Sequence, residues 1–212
     1  QSFILNVKQV GQALMAEGDR LASDIVADVN ALNVQPLIDE AIARLSLCGI
    51  DVAALAALHH VTIQVADLPV GMLGFTGNDV ITVDANAAGY GWFIDQTPQD
   101  NAEFHFVRSL GEWITDAHSS AFGRMDLLTV IEHELGHVLG FDDQPAQRHS
   151  ANLMTETLST GVRRSLLTES MIGEQAAQNS RQQSTPGAEA LLAQGLLNLV
   201  LPEVDKSRIN CG

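Results

Sequence analysis

Apolar residues recur at helical spacing near the start of the chain, where Val7, Val10, Leu14, Leu21, Ile25 and Val29 predict a helix from Phe3 to about Leu32. Asn33-Val34-Gln35-Pro36 interrupts it. Pro36 is placed to open a second helix reaching Leu47, with Leu37, Ile38, Ile42 and Leu45 on one side. Gly49 stops that helix, and Asp51 can cap a short helical turn from Val52 to Leu58. The period then changes. Val61 to Val65 alternates β-branched with polar residues and Val80 to Asp84 follows a Gly-Asn-Asp turn, so two strands are predicted, with Met72 to Thr76 a short apolar run between them. Tyr90 to Ile94 reads as a further extended piece, and residues 95–120 read as loop.

The strongest helix runs from Leu127 to Leu139. Leu127, Leu128, Val130, Ile131, Leu135, Val138 and Leu139 cover most of its circumference, which predicts a buried helix, and Gly140 supplies its stop. Residues 174–187 are polar and poor in large apolar groups, as a linker would be, and Ala188 to Leu201 reads as a last apolar helix. Three regions result: an N-terminal helical segment over 1–33, a central domain over 34–169, and a polar linker with a C-terminal helix over 170–212.

Composition bounds the class. With 46% hydrophobic and 17% charged residues in 212, the chain can bury a core, and no apolar run reaches the roughly 20 residues of a membrane span. The formal net charge of -15, with Lys8 and Lys206 the sole lysines, repels phosphate backbones and argues against a nucleic-acid partner. Such an acidic, Lys-poor surface suits an extracellular or cell-surface protein. The start lacks Met and a signal-peptide layout, which is expected of a processed form or an excised segment. Cys48 and Cys211 leave two readings open, one disulfide or two unrelated thiols.

Candidate chemistry concentrates on the buried helix. His133 and His137 lie four residues apart, about one helical turn, so both imidazoles face the same way and can grip one zinc ion. Glu134 directly follows the first histidine, where a carboxylate can take a proton from water that zinc has acidified. Two histidines and a glutamate on an otherwise apolar helix would be costly to bury without such a role. The stop at Gly140 lets the chain fold back, so that Asp143 can reach the same ion. Asp142, one residue earlier, and His149, six later, are the alternatives for third ligand.

The stretch from His133 to Asp143 resembles the HExxHxxGxxH signature of the metzincin metalloproteases, departing from it at the last position. The aspartate there is similar to that of snapalysin-type zinc proteases. Asn152-Leu153-Met154-Thr155 looks like the family's Met-turn. The resemblance spans roughly residues 34–165. It implies an α+β metzincin-like zincin fold, a small mixed sheet packed on an active-site helix and a backing helix (Pro36 to Leu47), to which the apolar spacing outside the resemblance adds extra helices at both termini. It also implies a substrate-binding edge strand carrying Leu73, Gly74 and Phe75, and a pocket wall after Met154 with Leu158 and Val162. A zinc endopeptidase acting on polypeptides is then the expected function, with Glu134 as general base. The tyrosine that follows the Met-turn in some branches is absent.

Other residues carry weaker readings. His59 and His60 read as surface or core histidines, and His105 with His118 as a remote second metal pair. Asp79, Asp84, Asp95 and Asp100 are a pool of oxygens for calcium as a second ion, without an EF-hand pattern. Two rival functions remain: a non-catalytic, protease-like module of a larger secreted or surface protein, and a latent form held inactive by its terminal segments.

Overall fold

The structure, a computed structural model, describes residues 13–18, 29–78, 80–146 and 151–164. The expected linker and C-terminal helix beyond residue 170, most of the expected N-terminal helix, Asp79, His149 and Cys211 lie outside the described residues. Within them the chain is a mixed α+β fold. Its strands are β1 (Ala13–Glu17), β2 (Thr62–Ala66), β3 (Met72–Gly77), β4 (Val80–Asp84), β5 (Trp92–Phe93), β6 (Phe104–Val107), β7 (Glu112–Thr115), β8 (Met125–Asp126), β9 (Thr157–Ser159) and β10 (Val162–Arg163). Its helices are α1 (Ala31–Leu47), α2 (Val52–Leu58) and α3 (Leu127–Val138).

Helix α1 starts a turn earlier than Pro36 would place it. Asn30 and Asn33 exchange bonds, Asn33 N–H donating to Asn30 Oδ1 at 3.3 Å and Asn30 N–H to Asn33 Oδ1 at 2.8 Å. This reciprocal cap occupies N–H groups that a helix start otherwise leaves without partners, so Pro36 falls inside the helix. Val34, Leu37, Ala41 and Leu45, spaced three or four apart, are buried together with Ile42 as α1 packs on α3. Asp51 caps α2 as expected, its carboxylate accepting from the N–H groups of Ala53 and Ala54.

The principal sheet has the order β2-β4-β3-β1-β9. Strand β4 pairs parallel with β2 and antiparallel with β3, while β1 pairs antiparallel with β3 and parallel with β9. Two expectations fail here. Residues 13–17 belong to a strand rather than a helix, and β3 is an interior strand rather than an edge. Helical spacing over Val7 to Val29 reports only local pattern, and β1 is held extended by partners more than 50 residues away.

Residues 95–120, expected as loop, contain the antiparallel pair β6–β7, to which β10 adds. The strands are too short to show a period, and aromatic packing supports them. Phe106 lies 5.4 Å from Trp113, and Phe104 meets Phe93 edge-on at 5.7 Å. One continuous core joins α1, α3, the inner face of the principal sheet and the segment after residue 152. No described helix is long and apolar enough to cross a membrane.

Candidate metal centre

Helix α3 starts where Asp126 accepts from Thr129 N–H, and every residue from Leu127 to Gly136 is buried. Gly140 (φ 89°) closes it: Phe141 N–H donates to Gly136 O at 3.0 Å, a bond that needs a left-handed residue just before it. The chain therefore reverses, and the next residues return over the helix end. Gln144 N–H donates to Met154 O at 2.7 Å and Glu156 N–H to Gln144 O at 3.0 Å, which ties the returning segment to the turn at residues 152–155. That pairing decides which aspartate faces the helix. Asp143 is half-buried against the histidines, and Asp142 points to solvent.

Three ligand atoms converge. His133 Nε2 lies 3.0 Å from His137 Nε2, and Asp143 Oδ1 lies 3.1 Å and 3.3 Å from the two. The other ring nitrogens are committed elsewhere: His133 Nδ1 faces Leu153 O at 2.9 Å, and His137 Nδ1 faces Phe141 O at 2.8 Å. A carbonyl can only accept, so each Nδ1 carries the hydrogen, and a ring that holds no second proton turns its Nε2 lone pair inward. Two lone pairs and a carboxylate oxygen about 3 Å apart repel one another unless a cation or a shared proton lies among them. A tetrahedral zinc ion, with bonds of about 2.0–2.2 Å, needs ligands roughly 3.3 Å apart. The donor set fits such an ion, and among the described residues this is the one group of three or more His, Cys, Asp or Glu that could hold a metal.

The same field acts on protons. Burial pulls the His137 pKa down, but the Asp143 hydrogen bond and the Glu134 charge outweigh it and leave the pKa raised. For Asp143, burial pushes up, and the two histidines more than offset it, holding the carboxyl well below the usual range. Both shifts arise where an imidazole proton is shared with Asp143, the place a cation would take instead.

Glu134 is fully buried beside this group, and burial raises its pKa against the lowering effect of His133, His137 and Thr76. Thr76 on β3 donates to Glu134 Oε2 at 2.7 Å, while Oε1 has no hydrogen-bond partner. Gly74, also on β3, is what lets the carboxylate sit there, since a Cβ on it would lie 2.7 Å from Oε1. Below the helix, Met154 packs under Gly136, leaving no room for a side chain at that glycine. Asn152 Oδ1 accepts from Met154 N–H at 2.9 Å and shapes the turn.

Of the other predicted residues, Leu73 and Leu158 are fully buried, Val162 is nearly so, and Phe75 is half-buried. His59 and His60 are exposed at the end of α2. His105 approaches Asp116 at 3.7 Å, and His118 lines a cavity of about 270 Å³ with Glu103, Asp116 and Ser119, but no three-ligand group forms there. The acids offered for calcium do not converge. Asp84 accepts from the N–H groups of Leu68, Asn86 and Ala88, Asp95 pairs with Arg163, and Asp100 accepts from Ala102 N–H. Cys48 is buried at the end of α1, with Sγ 3.6 Å from Arg44 O.

Sequence reasoning missed Thr76 and Glu132. Thr76 looks like any strand threonine until β3 is laid across α3. Glu132 occupies the opposite side of the helix, fully buried, 3.5 Å from Arg44 Nε. Arg44 spends its hydrogen bonds on Glu40 Oε1 and Pro98 O, so neither Glu132 oxygen has a hydrogen-bond partner. Burial pushes the Glu132 pKa from 4.5 to about 8 despite Arg44, so the carboxyl is protonated at neutral pH. A folded pKa above the unfolded one means the folded state binds more protons between those values. Stability then falls as pH rises from 4.5 to about 8, with a slope of up to about 1.4 kcal/mol per pH unit. Glu132→Gln should flatten this fall, which melting temperatures of the two proteins across pH 5–9 would show; parallel curves would refute it.

Comparison with family models, with curated proteins and with solved structures found no match to the chain.

Proposed function

We propose that the protein is a zinc-dependent endopeptidase of metzincin type, with His133, His137 and Asp143 holding the ion and Glu134 as general base. The observation that carries this reading is the pairing of a three-ligand cluster with a buried carboxylate that keeps one oxygen, Glu134 Oε1, without a partner. A purely structural metal site is usually closed by four protein ligands and needs no base. Zinc, when bound, supplies a Lewis acid for a peptide carbonyl and lowers the pKa of water to about 7.

The chain's own residues do the rest. Thr76 fixes Glu134 through Oε2, so Oε1 is the oxygen that accepts a proton from the attacking water and returns it to the leaving amine. Burial favours the protonated carboxyl and so helps Glu134 hold that proton between the two steps. The carbonyls of Leu153 and Phe141 orient the two imidazoles, and Met154 packs against Gly136, between the two histidines on the helix. Polypeptide is the substrate class, and the acidic, Lys-poor composition supports an extracellular or cell-surface setting.

Metal dependence tests the reading. Chelation should abolish hydrolysis of an unfolded protein such as casein, and zinc but not calcium should restore it. Asp143→Ala should weaken zinc binding by about 100-fold or more, read by competition with a chromogenic chelator. Unchanged affinity in that variant would remove Asp143 from the ligand set.

A further inference from the structure

Strand β1 fills a gap one strand wide beside the candidate catalytic centre. On one side lies β3, whose Gly74 and Thr76 abut Glu134; on the other lies β9, which follows the Met154 turn and pairs with no other described strand of that sheet. Main-chain bonds reach both sides: Ala16 N–H donates to Gly71 O at 2.7 Å, and Met15 N–H to Glu156 O at 3.0 Å. The register sets Leu14 opposite Gly74, the residue against which the Glu134 carboxylate packs. Leu14 is buried and joins the cluster that contains Leu73, Leu158 and Val162. Downstream, Thr157 Oγ1 donates to Glu17 Oε2 at 2.7 Å and Tyr90 Oη to Gly18 O at 2.8 Å.

The sequence of β1 does not ask for a strand. Ala13, Leu14, Met15, Ala16 and Glu17 are helix formers, and none is β-branched. Its extended form is imposed by the two flanking strands, as it is for a peptide that binds by adding to sheet edges.

We propose that residues 13–17 occupy the protein's own substrate slot. The slot takes an extended peptide antiparallel to β3 and parallel to β9, with a large apolar side chain where Leu14 lies. The protein in this form is largely self-blocked, and substrate enters only the minor fraction of molecules that β1 has left. This inference rests on the endopeptidase reading for the word substrate, while the slot itself rests on the strand pairing.

The test uses the full chain carrying Ala16→Pro, which removes the bond to Gly71 O, or separately Leu14→Asp, which places a charge in the apolar position. The probe is a fluorescent peptide copying residues 12–18. Both variants should bind it about tenfold or more tightly than the wild type, and a probe with Asp at the leucine position should bind about 100-fold more weakly. Cleavage of a leucine-containing peptide should rise about tenfold or more in the variants, and the unlabelled copy should suppress it. Equal probe binding by wild type and variants, or by none, overturns the proposal. So does loss of cooperative melting in both variants, which would make β1 an integral strand. Probe capture by the variants without hydrolysis by any metal-loaded form upholds the slot and removes the endopeptidase reading. Wild-type hydrolysis already at the variants' rate keeps that reading and overturns the self-block.

Discussion

Replacing Glu134 with alanine is expected to lower peptide hydrolysis by about 10²–10⁴-fold while zinc content stays unchanged. The two effects separate because Glu134 is beside the ligand cluster and not in it. His133, His137 and Asp143 converge within 4.8 Å of one another, and the partners that orient the rings are the carbonyls of Leu153 and Phe141. Removing the carboxylate therefore leaves the metal's grip intact and takes away the proton acceptor. It also removes a buried acid whose burial raises its pKa, so the variant should be no less stable than the wild type. Activity should be measured in both the wild-type and the Ala16→Pro background, since a blocked slot would mask the loss. Equal casein hydrolysis by Glu134→Ala and its parent would sink the assignment of the base. If both are inert with stoichiometric zinc even when the slot is open, a non-catalytic module is the better description.

Arg163→Met should destabilise the protein by about 3–5 kcal/mol, the range found when one partner of a buried ion pair is removed. Arg163 is fully buried. Its Nε and one terminal nitrogen both bond Asp126 at 2.9 Å, and that terminal nitrogen also bonds Asp95 at 2.8 Å. The other terminal nitrogen reaches Asp100 O and Asn101 Oδ1, and the guanidinium lies 4.3 Å from the centre of the Phe104 ring. Burial disfavours its charge, but Asp126 and Asp95 more than compensate and raise its pKa. Removing it leaves two carboxylates buried and unpaired. Asp126 is also the cap of α3, so the damage reaches the first turn of the helix that carries the candidate ligands. The melting temperature should fall by on the order of 10 °C. Arg163→Lys should recover only part of this, since an ammonium cannot reproduce the fork that holds both carboxylates. Zinc affinity measured well below the melting temperature should not change, because no ligand touches Arg163. A melting curve like that of the wild type would refute the account.

How much of this was legible before folding follows from the range of each signal. Helix α3, its stop at Gly140 and the four-residue spacing of His133 and His137 are local facts, so the sequence alone predicts a buried helix with two rings on one face. The strands β2 and β4 carry enough β-branched residues to announce themselves, β3 shows in the pattern only as a short apolar run, and Asp51 announces the start of α2. Asp143 could be favoured over Asp142 by spacing, but the pairing of Gln144 with the turn at Met154 is what turns it towards the histidines.

Tertiary structure decided what depends on distant partners. Ala13–Glu17 has helical composition and becomes a strand because β3 and β9 leave it only an extended path. The pair β6–β7 is too short to show a period and forms through aromatic packing. Thr76, Glu132 and Arg163 gain their meaning from residues far away in sequence: Glu134, Arg44, and the pair Asp95 and Asp126. Periodicity and spacing report what the chain does within a few residues. Which strand lies against the site, and whether the site is open, are set by pairings across the whole chain, whose energies no local pattern records.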